Sequence, residues 1–199
     1  MTAPYSLTLP QALRHQATHQ PDRIAIRQKR FGIWNPITWR GFHQRASHVG
    51  LGLAALGVEA GQPVGVLAEN RLEWVMAQLG AGLVGAVTVG VYPTSPSNEV
   101  AYVLAHSDTR IVFCEDQEQA DKVLDAIDQL PMVQRIVVLE RKGLQDLMAR
   151  APGLVMGFEA LEELGAASPL DARIDAVLAT QSLEDTALII YTSGSTGKP

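Results

Sequence analysis

The sequence predicts an α/β fold, a parallel sheet of βαβ units with helices on both faces. Three observations carry that prediction. Short apolar runs at Val64–Leu67, Val87–Val91, Ile111–Cys114 and Ile136–Leu139 alternate with longer amphipathic stretches, the pattern of strands alternating with helices. Crossovers between parallel strands are almost always right-handed, which lays the helices on the sheet faces. A last apolar run, Thr186–Tyr191, then feeds a loop rich in glycine and hydroxyl residues. In an open α/β sheet that is where ligands sit, beyond the carboxyl ends of the strands.

Taken in order, Leu9–His19 has the spacing of a short helix that stops before Pro21. Arg23–Gln28 and Ile33–Trp39 are β-prone runs around Lys29-Arg30-Phe31-Gly32 and predict a hairpin, with Trp34 and Trp39 as aromatic anchors. Helix Gly41–Leu56 ends at Gly57, a natural C-terminal glycine. Asn70, with Glu73 three residues on, offers a capping box for a helix carrying Leu72, Val75, Met76, Leu79 and Leu83 on one face. Ser95-Pro96 offers an N-cap and first-turn proline for helix Ser97–His106. Glu115–Leu130 is amphipathic through Ala120, Val123, Leu124 and Ile127, and Pro131 stops it. Beyond Glu140 the pattern is less regular, with short helices expected near Phe158–Leu164 and Ile174–Ala179. This gives residues 1–40 as an opening segment with a hairpin, 41–140 as a βαβ repeat, and 141–199 as an irregular helical stretch, strand and terminal loop. All three form one incomplete domain.

Composition narrows the function classes. The 199 residues are 47% hydrophobic and 19% charged, enough to bury a sizeable core. The net charge of −5 and the lack of a basic stripe argue against a nucleic-acid partner. The N-terminus has neither a basic nor an apolar signal-peptide region. Met76–Val91 is too short and too glycine-rich for a membrane span, and is expected to be a buried helix and strand. The lone Cys114 fits a reducing cytoplasm.

The terminal loop carries the chemistry. Thr192, Ser193, Ser195 and Thr196 supply hydroxyl donors, Gly194 and Gly197 let backbone N–H groups approach an anion, and Lys198 adds a positive charge. That combination grips a polyphosphate. It is not a Walker A loop, because Thr192 stands at the first glycine and Pro199 at the Ser/Thr position. It is not a nucleophile elbow either, because Ser193 stands where G-x-S-x-G needs its first glycine. The competing bland reading is a flexible Gly/Ser linker.

Other signals weigh less. Gly80-Ala81-Gly82-Leu83-Val84-Gly85 matches G-x-G-x-x-G but closes a helix instead of opening one, so close helix packing with Gly85 as terminator is expected. His15 and His19 are spaced i, i+4 but lack the glutamate and third ligand of a zinc site. His43, His48 and His106 show no ligand spacing, and no metal-ligating set is expected in this chain. Cys114 is expected to be a buried small hydrophobe.

Tyr191 through Pro199 resemble, position by position, the phosphate-binding signature of AMP-forming adenylating enzymes, Tyr-Thr-Ser-Gly-Ser/Thr-Thr-Gly-x-Pro-Lys-Gly. Within that superfamily the chain is similar to the long-chain fatty acyl-CoA synthetase branch. The similarity lies in Tyr92-Pro93-Thr94-Ser95 with Ala101–Ser107, in Leu67–Trp74, and in Arg30–Trp34 with Ile37-Thr38-Trp39. Ser195 departs from the threonine more usual in that branch but keeps the hydroxyl. The resemblance implies part of the large N-terminal domain of a fatty acid–CoA ligase that uses ATP, Mg2+ and coenzyme A with a fatty acid substrate. Thr192, Ser193, Gly194, Ser195, Thr196, Gly197 and Lys198 would hold the ATP phosphates. The family's catalytic lysine and its adenine-, ribose- and magnesium-binding residues have no match in residues 1–199, so this piece alone is expected to be inactive. The loop is expected to be disordered without nucleotide. Peripheral membrane proximity and a homodimer stay open, as do two other readings: an adenylating relative acting on an aryl or amino acid, and a non-catalytic α/β interaction module.

Overall fold

A computed structural model describes residues 6–192. Helix α1 (Leu9–His19) begins with a reciprocal cap: Thr8 Oγ1 accepts from the Gln11 amide, and Gln11 Oε1 accepts from the Thr8 amide. Strands β1 (Ile24–Arg30) and β2 (Ile33–Thr38) form an antiparallel hairpin. Its two turn residues, Phe31 and Gly32, both have positive φ, as a twist-matched two-residue hairpin turn requires. The expected aromatic anchors split. Trp34 is 60% exposed, with the Lys29 ammonium over its ring at 5.9 Å. Trp39 instead opens helix α2 (Trp39–Ala55) and packs on the core. Thr38 caps that helix by accepting from the Gly41 amide at 3.2 Å, so it starts two residues before the expected Gly41.

The remaining elements are β3 (Pro63–Leu67), α3 (Leu72–Leu83), β4 (Val87–Val91), α4 (Ser97–His106), β5 (Ile111–Cys114), α5 (Gln117–Leu124), β6 (Arg135–Val138), α6 (Leu144–Arg150), β7 (Val155–Gly157), α7 (Phe158–Ala166), α8 (Asp171–Thr180) and β8 (Leu188–Ile190). All six strands from β3 onward are parallel, in the order β7-β6-β5-β3-β4-β8. The expected parallel α/β sheet is therefore the observed one. One core packs α1, α2, α3, α7 and α8 on one face. A second packs α4, α5 and α6 on the other. The helix after β3 covers the first face and the helix after β4 the second, so the chain changes direction between these adjacent strands. That makes a ligand crevice at their carboxyl ends.

The glycines of the G-x-G-x-x-G stretch serve packing. A Cβ on Gly80 would meet Val49 Cγ1 at 2.8 Å, and a Cβ on the facing Gly50 would run into the Gly80 carbonyl. Helices α2 and α3 thus touch backbone to backbone. Gly85 ends α3 at φ 80°.

Several local expectations are corrected. Asn70 does not cap α3; Arg71 stands before the helix without a side-chain cap, and its guanidinium takes up the Glu73 carboxylate at 2.8 Å. Ser95 does not cap α4; Pro96 holds that position, and its carbonyl accepts from the amides of Glu99 and Val100. Helix α5 is shorter than Glu115–Leu130. Glu115 stays outside the helix, just past β5, donating its amide to the Leu67 carbonyl, and Asp116 becomes the cap. Past Leu124 the chain tightens into a 3-10 turn at Ile127–Gln129. Helix α6 and strand β7 were not expected.

Candidate functional site

Strand β8 hydrogen-bonds alongside β4, with Thr88, Val89 and Gly90 opposite Leu188, Ile189 and Ile190. Tyr191 and Thr192 therefore leave the sheet at its carboxyl edge, beside the crevice. Of the predicted phosphate-binding residues, Thr192 lies in the described part and is exposed. Ser193, Gly194, Ser195, Thr196, Gly197 and Lys198 lie outside the described residues, as does the expectation of loop disorder.

Successive strand residues point to opposite faces, and two cavities flank the loop's origin accordingly. On the α3 side, about 320 Å3 is lined by Ala68, Asn70, Trp74, Tyr92, Pro93 and Ile190. On the α4 side, about 1130 Å3 is lined by residues including Tyr92, Thr94, Asn98, Tyr102, Tyr191 and Thr192. Tyr92, 58% exposed, borders both. The turn Tyr92–Ser95 closes with the Ser95 amide on the Tyr92 carbonyl at 3.0 Å. Lys122 of α5 clamps it, donating from Nζ to the carbonyls of Pro93 at 2.6 Å and Ser95 at 3.2 Å. The turn is therefore pinned to the helix that packs behind it.

A charge cluster orders the next strand ends. Arg71 bonds Glu73, Glu115 and Glu140 at 2.8, 3.3 and 3.2 Å, tying together the segments after β3, β5 and β6. Glu115 Oε2 also accepts from the Glu69 amide at 2.6 Å. Burial opposes the Arg71 charge, but the three carboxylates outweigh it and raise its pKa. The guanidinium is thus a fixed cation beside the strand ends, paired with three acids.

Sequence spacing did not single out His106. Its Nδ1 lies 2.8 Å from the Tyr191 hydroxyl, across a sequence separation of 85. Burial, then the neighbouring Tyr102 and Asp108, raise the Tyr191 pKa, so the phenol stays neutral. Local periodicity gives no signal for such a contact; only the strand order brings α4 and β8 together. His15 and His19 stack on the exposed face of α1. Among the described residues no group of three or more His, Cys, Asp or Glu is placed to hold a metal. Cys114 is fully buried, and burial pushes its thiol pKa up, which leaves it an inert hydrophobe.

With this geometry in place, comparison with known proteins decides the family. The model of the AMP-binding enzyme family matches residues 13–199. The chain belongs to that family. A curated relative, the long-chain-fatty-acid–CoA ligase ACSBG2 of Xenopus laevis, is 28% identical over 97% of this chain and 25% of its own length. The long-chain-fatty-acid–CoA ligase FadD15 of Mycobacterium bovis is 31% identical over 90% of this chain and 28% of its own. The chain thus spans about a quarter of the curated relatives it matches, and it corresponds to the N-terminal portion of such enzymes. Among solved structures, a Mycobacterium tuberculosis fatty acyl CoA synthetase superposes with a TM-score of 0.67 and 24% identity, over 92% of this chain and 32% of that one. Among the described residues no helix is long and apolar enough to cross a membrane.

Proposed function

We propose that this chain is the phosphate-gripping part of an ATP-dependent long-chain fatty acid–CoA ligase. The observation that carries the reading is the likeness to long-chain-fatty-acid–CoA ligases along nearly the whole chain. The family's chemistry gives the context: a carboxylate oxygen attacks the α-phosphorus of ATP and pyrophosphate leaves. The CoA thiol then attacks the acyl carbonyl of the adenylate, and AMP leaves.

In this reading Thr192–Lys198 hold the β- and γ-phosphates. Backbone N–H groups at Gly194 and Gly197 and the hydroxyls of Thr192, Ser193, Ser195 and Thr196 donate to the phosphate oxygens, and Lys198 offsets charge. Nucleotidyl transfer depends mainly on such positioning and neutralisation. Mg2+ supplies further charge neutralisation when bound. The cleft beside Tyr191 and Thr192 leaves room for substrate to approach the loop.

The test is carboxylate-dependent ATP–pyrophosphate exchange by the full-length protein, over a panel of long-chain, aryl and amino acids. Turnover confined to long-chain acids is expected; turnover with aryl or amino acids instead counts against the fatty acyl reading while leaving adenylation intact. Thr192→Ala removes one donor and is expected to slow exchange about a hundredfold. The 199-residue chain alone is expected to give no exchange.

A further inference from the structure

The pairing of β8 with β4 ends at Gly90 opposite Ile190, one residue before the phosphate-loop motif. The side chain of Tyr191 reaches beyond the strand to α4. Its hydroxyl meets His106 Nδ1 at 2.8 Å, and the two rings meet edge to face with centroids 5.6 Å apart. Tyr102, one helical turn earlier on α4, backs the histidine with ring centroids 5.5 Å apart. Tyr191 also packs on the core of the α4 face, whereas its neighbours Ile190 and Thr192 are exposed. An aromatic triad thus joins the last turn of α4 to the point where the motif begins.

We propose that His106 is a positioning residue for the phosphate loop. Backed by Tyr102, it holds Tyr191 and so sets the place from which Thr192–Lys198 depart. This rests on the reading of that loop as the grip on ATP. His106 acts through Tyr191, so its effect is on nucleotide binding geometry, not on the carboxylate.

The test uses the full-length protein with His106→Phe, which keeps a ring and deletes the nitrogen, Tyr191→Phe, the double variant, and His106→Asn, which returns an amide near the Nδ1 position. In pyrophosphate exchange, each Phe variant is expected to raise KM for ATP about fivefold, the worth of one hydrogen bond, and in His106→Phe, whose ring is not part of the cleft lining, KM for the carboxylate is expected to stay unchanged. The double variant is expected to be no worse than either single one, and His106→Asn to recover most of the loss. Amide hydrogen exchange without substrates is the second readout. The peptide spanning 186–199 is expected to exchange severalfold faster in His106→Phe, with β4 and α4 unchanged. Additive losses in the double variant, or an unaltered ATP KM in both single variants, overturn the proposal. If the unmodified protein shows no carboxylate-dependent exchange, the ligase reading fails. The anchor is then decided by hydrogen exchange alone: faster exchange in 186–199 upholds it, and unchanged exchange overturns it.

Discussion

On the face built from α1, α2, α3, α7 and α8, backbones touch; on the face built from α4, α5 and α6, side chains and open space separate the elements. Gly50 meets Gly80, Gly52 meets the Leu161 carbonyl, and Gly165 meets the His48 carbonyl. No methyl group fits at these crossings. The opposite face holds the larger of the two cavities described, and its contacts near the loop are made by side chains, Lys122 to two carbonyls and His106 to Tyr191. The contrast teaches where rigidity and access are placed. The glycine-seamed face packs tightly, and the looser face leaves room around the strand ends.

The sharpest way to break this comparison is to add one methyl to the tight face. Gly50→Ala gains about 1 kcal/mol of helix propensity. The new Cβ nevertheless runs into the Gly80 carbonyl and comes within 3.2 Å of Val84 Cγ1. Backbone cannot give way as a flexible side chain can, so a net loss of about 2–3 kcal/mol is expected, read as a lower urea midpoint. A neutral result would mean that α2 and α3 slide apart freely and that the seam is not rigid.

The looser face predicts a smaller loss with a different location. Lys122→Met keeps the apolar stem and removes the ammonium that holds the Pro93 and Ser95 carbonyls. Its other partner, Glu118, is 74% exposed at the side chain and contributes little. About 1.5 kcal/mol is expected, the scale of hydrogen bonds to a charged group. The consequence should concentrate in the Tyr92–Ser95 turn, with faster amide exchange there and an unchanged α2–α3 seam. Equal exchange changes on both faces would erase the distinction drawn between them.

How far the sequence carried this picture depends on the range of the interaction. Val64–Leu67, Val87–Val91 and Ile111–Cys114 were legible because a strand buried on both faces is apolar at nearly every position. The Gly80–Gly85 stretch was legible as packing because it closes a helix. Strand β7, at three residues, and helix α6, at seven, are too short to show a period, so both were missed. Asn70 and Trp34 misled because local propensity was overridden: an arginine claimed Glu73, and among the described residues the hairpin leaves the Trp34 ring mostly exposed. The motif rich in glycine and hydroxyl residues stood out because its residues are contiguous. The His106–Tyr191 contact did not, because 85 residues of chain separate the partners and only the sheet order unites them.

The smallest expected effect lies on the tight face and appears only with pH. His43 sits on α2, partly buried, and its Nε2 has no hydrogen-bond partner among the described residues. Burial and, secondarily, the Arg14 guanidinium lower its pKa below the ordinary 6.5. Neutral imidazole is therefore the form that the packed state tolerates. As pH falls through 6.5 the unfolded chain takes up the proton first, so stability declines with falling pH and levels off once the folded state also binds it. His43→Gln removes the titration and is expected to flatten the urea midpoint between pH 7 and pH 5 relative to the unmodified protein. Identical slopes in the two proteins over that window would show that His43 is solvated enough to protonate in place. The α1–α2 contact would then be looser than the α2–α3 seam beside it.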